Sequence, residues 1–204
     1  MFGGRTMLVK KFKALPIEAI VRGYICGSAW QEYQKTGIVC GIKLPSDMHM
    51  NQQFLRPIFT PSTKAAVGCH DENITCSQMS ELIGNESAAR VHKNAIAIYE
   101  KASAILWNKG IILADAKLEF GIEGVNHFLI DECFTPDSSR FWNFKDYKLD
   151  GSIVSMDKQY LRDWLDAQKW DRNSDVPNLP DEVTDHLSKI YLDIYEKITG
   201  EKLA

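Results

Sequence analysis

Apolar and charged side chains alternate along residues 114–120, with Ala114, Ala116, Leu118 and Phe120 on one parity and Asp115, Lys117 and Glu119 on the other. That period of two predicts a half-buried strand whose polar face carries a carboxylate, an ammonium and a second carboxylate in a row. HFLIDE, residues 127–132, reads as a returning strand with Gly124 inside the turn. A turn centred on Gly124 would set Asp131 opposite Lys117 and diagonal to Asp115 and Glu119. Directly paired Cβ atoms lie about 5 Å apart and diagonal ones roughly 7–8 Å apart, close enough for the carboxylates to share a divalent ion. Three carboxylates around one lysine, followed by the turn-and-arginine segment TPDSSR, predict a magnesium and phosphate site.

The same patterning divides the rest of the chain. MLVKKFK (Met7–Lys13) and LPIEAIVRGYI (15–25) are β-rich runs joined at Pro16, and GSAWQEYQKTGIVCG (27–41) predicts a short helix followed by a strand. Residues 43–75 read as a long loop punctuated by Pro45, Pro57 and Pro61. Helical spacing then takes over. Asn85 is placed to cap a helix with the stripe Val91, Ala95, Ile98, Ala102, Ile105 and Leu106, stopped by Gly110. Ser155 or Asp157 would cap a helix bearing Leu161, Trp164 and Leu165. The last helix starts near Pro180 and carries Val183, Leu187, Ile190, Tyr191, Ile194 and Ile198. The expected class is α+β, an antiparallel sheet backed by helices.

Composition narrows the function without choosing it. With 204 residues, 45% hydrophobic and 25% charged, the chain can build a sizeable core. A net charge of −3 with no lysine/arginine run argues against nucleic acid as a partner. No apolar stretch is long enough for a bilayer, and the N-terminus lacks a signal-peptide pattern. Five cysteines without a CxxC pair fit reduced thiols in a cytoplasmic protein. Cys69, His70 and Cys76 miss the usual zinc-ligand spacings. Neither GxGxxG nor GxxxxGK[ST] occurs, so no phosphate-cradling loop is read here.

Three polar motifs remain. Arg22 lies in an apolar strand that ends at Gly27–Ser28, a combination suited to a bidentate anion contact or to a core ion pair. TPSTK (60–64) and HDEN (70–73) fit turn chemistry, and equally a clamp for a small polar substrate with Lys64 on a carboxylate. Arg140, beside Phe141 and Trp142, follows the acidic hairpin as a second phosphate ligand or a stacked surface arginine.

Together these segments resemble the SAICAR synthetase (phosphoribosylaminoimidazole-succinocarboxamide synthase) family in its longer, yeast-like form. LPIEAIVRGYICGS resembles its first signature and LADAKLEFG its second, while FTPSTKAAVGCHDENI, DECFTPDSSRFW and DKQYLRDWL resemble further blocks in the family's order. Cys26, Ala66 and Cys69 depart from the family pattern. The resemblance implies a two-lobed ATP-dependent ligase with a kinase- or ATP-grasp-like cleft. Residues 1–15 would be a hinge strand left from an N-terminal lobe that is otherwise absent, and 16–204 the substrate- and magnesium-binding domain. ATP and Mg²⁺ are the implied cofactors, and carboxyaminoimidazole ribonucleotide and L-aspartate the substrates.

By the same resemblance, Arg22, Ser28, Arg140 and Arg162 would bind the ribonucleotide phosphate, Lys64, Asp71 and Asn73 would line the aspartate or imidazole end, and Glu18 and Ser139 would also bind substrate. Lys117 and Asp115 would be catalytic, Glu119 and Asp131 would hold Mg²⁺, and Val9 and Lys10 would meet the adenine. An inert fragment that only binds nucleotide or substrate, and a kinase-like small-molecule phosphotransferase, are the rival readings. The strand Met7–Lys13, its edge unpaired, would drive self-association, and the chain alone would be essentially inactive.

Overall fold

The computed structural model describes residues 6–64, 71–131, 133–149, 153–171 and 174–203. Its centre is a seven-stranded sheet in which every pairing is antiparallel. The chain enters through β1 (Lys13–Ala14) and β2 (Ile17–Tyr24), then forms helix α1 (Gly27–Thr36) and the small β3–β4 pair (Ile38–Val39, Ile42–Lys43). It returns through β5 (Gln53–Phe59) and β6 (Ser62–Thr63), followed by helices α2 (Cys76–Ile83) and α3 (Asn85–Trp107). The long strand β7 (Ile111–Glu123) is the spine, and β8 (Asn126–Ile130), β9 (Ser139–Asn143), α4 (Gln159–Ala167) and α5 (Asp181–Thr199) complete the fold. The α+β class read from the sequence is the class observed.

β7 pairs with β1, β2, β8 and β9. Against β9 it carries a bulge: Leu113 faces Phe141, but Asp115 faces Arg140, so Ala114 is the extra residue. A bulge of one residue reverses which parity faces which side. Ile111 and Leu113 pack in the main core under α3, and beyond the bulge that role passes to Ala116, Leu118 and Phe120. Ile112 and Ala114 lie instead with Tyr24, Cys26 and Trp142 in a small cluster on the opposite face. The Tyr99 hydroxyl, carried by α3 and buried, donates to the Leu113 carbonyl at 2.5 Å. Gly23 of β2 makes room for it, because a Cβ there would sit 2.2 Å from the Tyr99 oxygen.

Several local expectations are corrected. Of the run 7–13 only Lys13 is strand, opening β1, and Met7, Leu8 and Val9 are exposed, so the expected strand Met7–Lys13 is not formed. Residues 43–75 contain β5 and β6; Pro57 is accommodated because β5 lies at the sheet's edge, where a missing N–H breaks no ladder. Helix α2 has a capping box in which Thr75 and Gln78 satisfy each other's backbone N–H, a T-x-x-Q signal not used above. Gly84, rather than Asn85, is the cap residue of α3, whose buried stripe includes Tyr99 while Ile105 is half exposed. For α4 the cap position is Lys158, and Asp157 accepts from Gln159 N–H one residue further in.

The hairpin register also differs. Gly124 (φ +64°) and Val125 form a two-residue turn, with glycine at the first central position as a type II′ turn requires. Glu119 therefore faces Ile130, and Asp131 falls one residue short of facing Lys117, at a left-handed φ of +61° that ends β8.

The seating of Tyr99 against Gly23 gives a test. Gly23→Ala should cost about 1–3 kcal/mol through overpacking, read from urea denaturation midpoints. In a Tyr99→Phe background the added cost should be smaller; strictly additive costs would contradict the contact.

Candidate functional site

Asp115 anchors the site. Arg22 on β2 and Arg140 on β9 are its direct cross-strand partners, so three adjacent strands place Arg22, Asp115 and Arg140 in one row. Arg22 Nη1 and Arg140 Nη1 donate to the same oxygen, Asp115 Oδ2, at 2.8 and 2.5 Å. Arg22 spends its other donors on Thr60 Oγ1 (3.0 Å) and Ser28 Oγ (3.2 Å). The Arg140 guanidinium lies against the backbone of Gly27, where a Cβ would come within 2.5 Å of Nη2, and Gly27 has φ +54°. Gly27 opens helix α1, whose N-terminus no side chain caps. Helix N–H groups and the two guanidiniums thus converge on one point.

Charge states follow from the packing. Burial opposes ionisation of Asp115, but Arg140 and Arg22 more than offset it and hold its pKa below the ordinary carboxylate value. Asp115 in turn raises the pKa of Arg140, against the opposing effect of burial. The Cys26 thiol, 3.8 Å from Asp115 Oδ2, is pushed up to about 12, first by burial and then by that carboxylate. It stays a neutral thiol.

The other strand charges are paired individually. Lys117 donates to Glu18 at 2.9 Å, and Glu18 also accepts from Ser62. Burial pulls the Lys117 pKa down, yet the Glu18 hydrogen bond and charge leave it raised overall. Glu119 pairs with Lys64. The expected gathering of Asp115, Glu119 and Asp131 around Lys117 is therefore not formed: Asp115 pairs with Arg22 and Arg140, Glu119 with Lys64, and Lys117 with Glu18.

A cavity of about 310 Å³ opens over this face. Glu18, Arg22, Ser28, Asp71, Asp115, Lys117, Ser139, Arg140 and Arg162 all border it, joined by Ile20, Ser138, Asp137 and Lys158, which sequence reasoning had not singled out. Ser139 borders it with its hydroxyl buried and without a partner among the described residues, opposite Ala116 of the core. An adjoining cavity of about 560 Å³ shares Glu18, Ile20, Ser28 and Asp71 and adds Asn73. There Glu32 accepts from Cys40 N–H and Asn73 Nδ2, both at 2.9 Å. Val9, Lys10 and Asp131 are elsewhere, in a cavity of about 570 Å³ with Met7, Phe12, Leu129 and Ile130. Lys10 also pairs with Glu123 at 2.9 Å. Ala66, Cys69 and His70 lie outside the described residues. Among the described residues no three His, Cys, Asp or Glu side chains cluster to hold a metal.

Comparison with known proteins places the chain in a family. A family model described as SAICAR synthetase matches residues 1–177. The phosphoribosylaminoimidazole-succinocarboxamide synthase of Citrifermentans bemidjiense is 48% identical over 201 residues, covering 98% of this chain and 68% of the relative. That of Geobacter sulfurreducens is 48% identical over 198 residues, 97% of this chain and 67% of the relative. Among solved structures, the SAICAR synthase of Saccharomyces cerevisiae complexed with SAICAR superimposes with a TM-score of 0.84 at 47% identity, over 95% of this chain and 63% of that one. A SAICAR synthetase in complex with ADP gives 0.69 at 28% identity, over 96% of this chain and 68% of that one. The chain thus spans about two thirds of the length of these relatives.

Removing the anchor should be severe. Asp115→Asn leaves one buried and one part-buried guanidinium without their anion and should cost about 3–5 kcal/mol near neutral pH. Because the folded-state pKa of Asp115 is depressed, its stabilisation is present above the unfolded value of about 4 and is lost as pH falls through the folded value. The stability gap between the parent chain and Asp115→Asn, followed by urea unfolding from pH 7 to pH 3, should therefore narrow below about pH 4; a gap constant over that range would contradict the assignment.

Proposed function

This chain belongs to the SAICAR synthetase family, and we propose that it carries the ribonucleotide-binding part of an ATP-dependent, amide-forming ligase of purine biosynthesis. The reaction joins L-aspartate to carboxyaminoimidazole ribonucleotide through an acyl phosphate, giving SAICAR, ADP and phosphate. The observation that carries this reading is the cross-strand row Arg22–Asp115–Arg140 at the N-terminus of α1, a preformed site for a phosphate monoester. Arginine suits such a group because its planar donors match two oxygens at once. The solved relatives complexed with SAICAR and with ADP support a ribonucleotide and an adenine nucleotide as the ligands.

Each part of the cavity then has a role. Arg22, Arg140, Ser28 and Arg162 hold the 5′-phosphate, and Asp115 positions the first two. A free carboxylate is a poor acyl donor, so one of its oxygens must become a phosphoryl leaving group. That brings two anions together, and Lys117, held by Glu18, offers positive charge on the same face of the sheet. Lys64, Asp71 and Asn73 face the aspartate and imidazole end. Adenine occupies the cavity bordered by Val9 and Lys10. Magnesium takes one or two carboxylates plus ligand oxygens, and Glu119 and Asp131, the latter following Glu119's cross-strand partner Ile130, are the residues that would hold it. When bound, the metal would neutralise charge on the nucleotide phosphates. The enzyme works in the cytoplasm, in keeping with the free thiols of Cys26, Cys40, Cys76 and Cys133.

Two measurements test this. Arg140→Ala should weaken calorimetrically measured binding of the ribonucleotide roughly ten- to hundredfold, the loss of one charge-assisted hydrogen bond; unchanged affinity would remove the phosphate assignment. In a reaction with ribonucleotide, L-aspartate, ATP and Mg²⁺, any ADP released should be matched by an equal amount of SAICAR. ADP release that ignores aspartate would point to a phosphotransferase, and ribonucleotide binding without any product to a binding-only chain.

A further inference from the structure

Asp157 is fully buried, yet it does not border the cavity. Both of its oxygens are in use, and on different elements. Oδ2 accepts from the backbone N–H of Phe141 at 2.8 Å, and Oδ1 from that of Gln159 at 2.8 Å. Phe141 follows Arg140 in β9; Gln159 opens α4, and Arg162 lies three residues further on, about one helical turn. Flanking backbone bonds from Met156 N–H to the Phe141 carbonyl and from Lys158 N–H to the Pro136 carbonyl close the same seam. One carboxylate therefore fixes how α4 sits against the strand that carries Arg140.

Arg162 needs such a fixture. Arg22 and Arg140 are each held by Asp115, whereas among the described residues the Arg162 side chain makes only a long contact to Gln159 Oε1, at 3.4 Å. It borders the same cavity as Arg22 and Arg140, so the three guanidiniums line one space. A neutral cap such as serine or asparagine could start α4 without burying a charge. The two-armed acceptor of a carboxylate is what joins both backbones at once.

We propose that Asp157 is a positioning residue that sets Arg162 against the ribonucleotide phosphate, an inference that rests on the reading of the cavity given above. The probes are aminoimidazole carboxamide ribonucleotide and its riboside, titrated by calorimetry into the parent chain and variants shown to be folded by thermal denaturation. Asp157→Asn keeps the shape but offers one acceptor instead of two. It should weaken ribonucleotide binding about tenfold and leave riboside binding unchanged. Arg162→Ala should do the same, and the double variant should bind no worse than either single one. Equal losses for both probes, or losses that multiply in the double variant, would overturn the proposal. If Asp157→Asn does not fold, Asp157→Ser, which keeps a cap for Gln159, replaces it. If neither folds, Arg162→Ala alone decides, and unchanged ribonucleotide affinity overturns the proposal. A parent chain that binds ribonucleotide no better than riboside would instead defeat the phosphate reading itself, and this inference with it.

Discussion

One extra residue in one strand determines the site. Without the bulge at Ala114, Arg140 would face Ala114, and its guanidinium could not share an oxygen of Asp115 with Arg22. Bulges leave an unpaired backbone group behind, and a buried unpaired carbonyl is costly. Here the Tyr99 hydroxyl, carried across the core by α3, meets the Leu113 carbonyl, and Gly23 leaves the space for it. The helix that forms the core thus also stabilises the irregularity on which the charged row depends.

The charge arrangement follows from that geometry. A buried aspartate between two guanidiniums leaves a net positive charge, in low dielectric, at an uncapped helix N-terminus. The site is electrostatically unfinished, and under the proposed function a dianionic phosphate monoester would complete it. Because the guanidiniums are held before any ligand arrives, binding needs little reorganisation. The lysines behave differently: Lys117 and Lys64 are each matched to one carboxylate and remain partly exposed, as suits groups that meet the reacting end of a substrate.

The sequence made the polar face of β7 legible because Asp115, Lys117 and Glu119 alternate with apolar residues. It hid the bulge because residues 111–114 are all apolar, so parity carries no information there. The hairpin register was missed by one residue for a related reason, since a lone glycine marks a turn without stating whether one or two residues make it. Resemblance to a family groups Arg22, Ser28, Arg140 and Arg162, which spacing alone does not, because two strands and two helices must pack together before they border one cavity. Asp157 was visible only as a helix cap, because its second acceptor bond, to Phe141, depends on tertiary packing.

The central claim is that the row Arg22–Asp115–Arg140 receives the 5′-phosphate of a ribonucleotide. A crystal structure of the chain with aminoimidazole carboxamide ribonucleotide bound tests it most directly. The account predicts phosphate oxygens within hydrogen-bonding distance, about 3 Å, of both guanidiniums and of the Ser28 hydroxyl, with the imidazole directed toward Lys117. A ribonucleotide whose phosphate lay beside Lys10, away from Arg22 and Arg140, would contradict it.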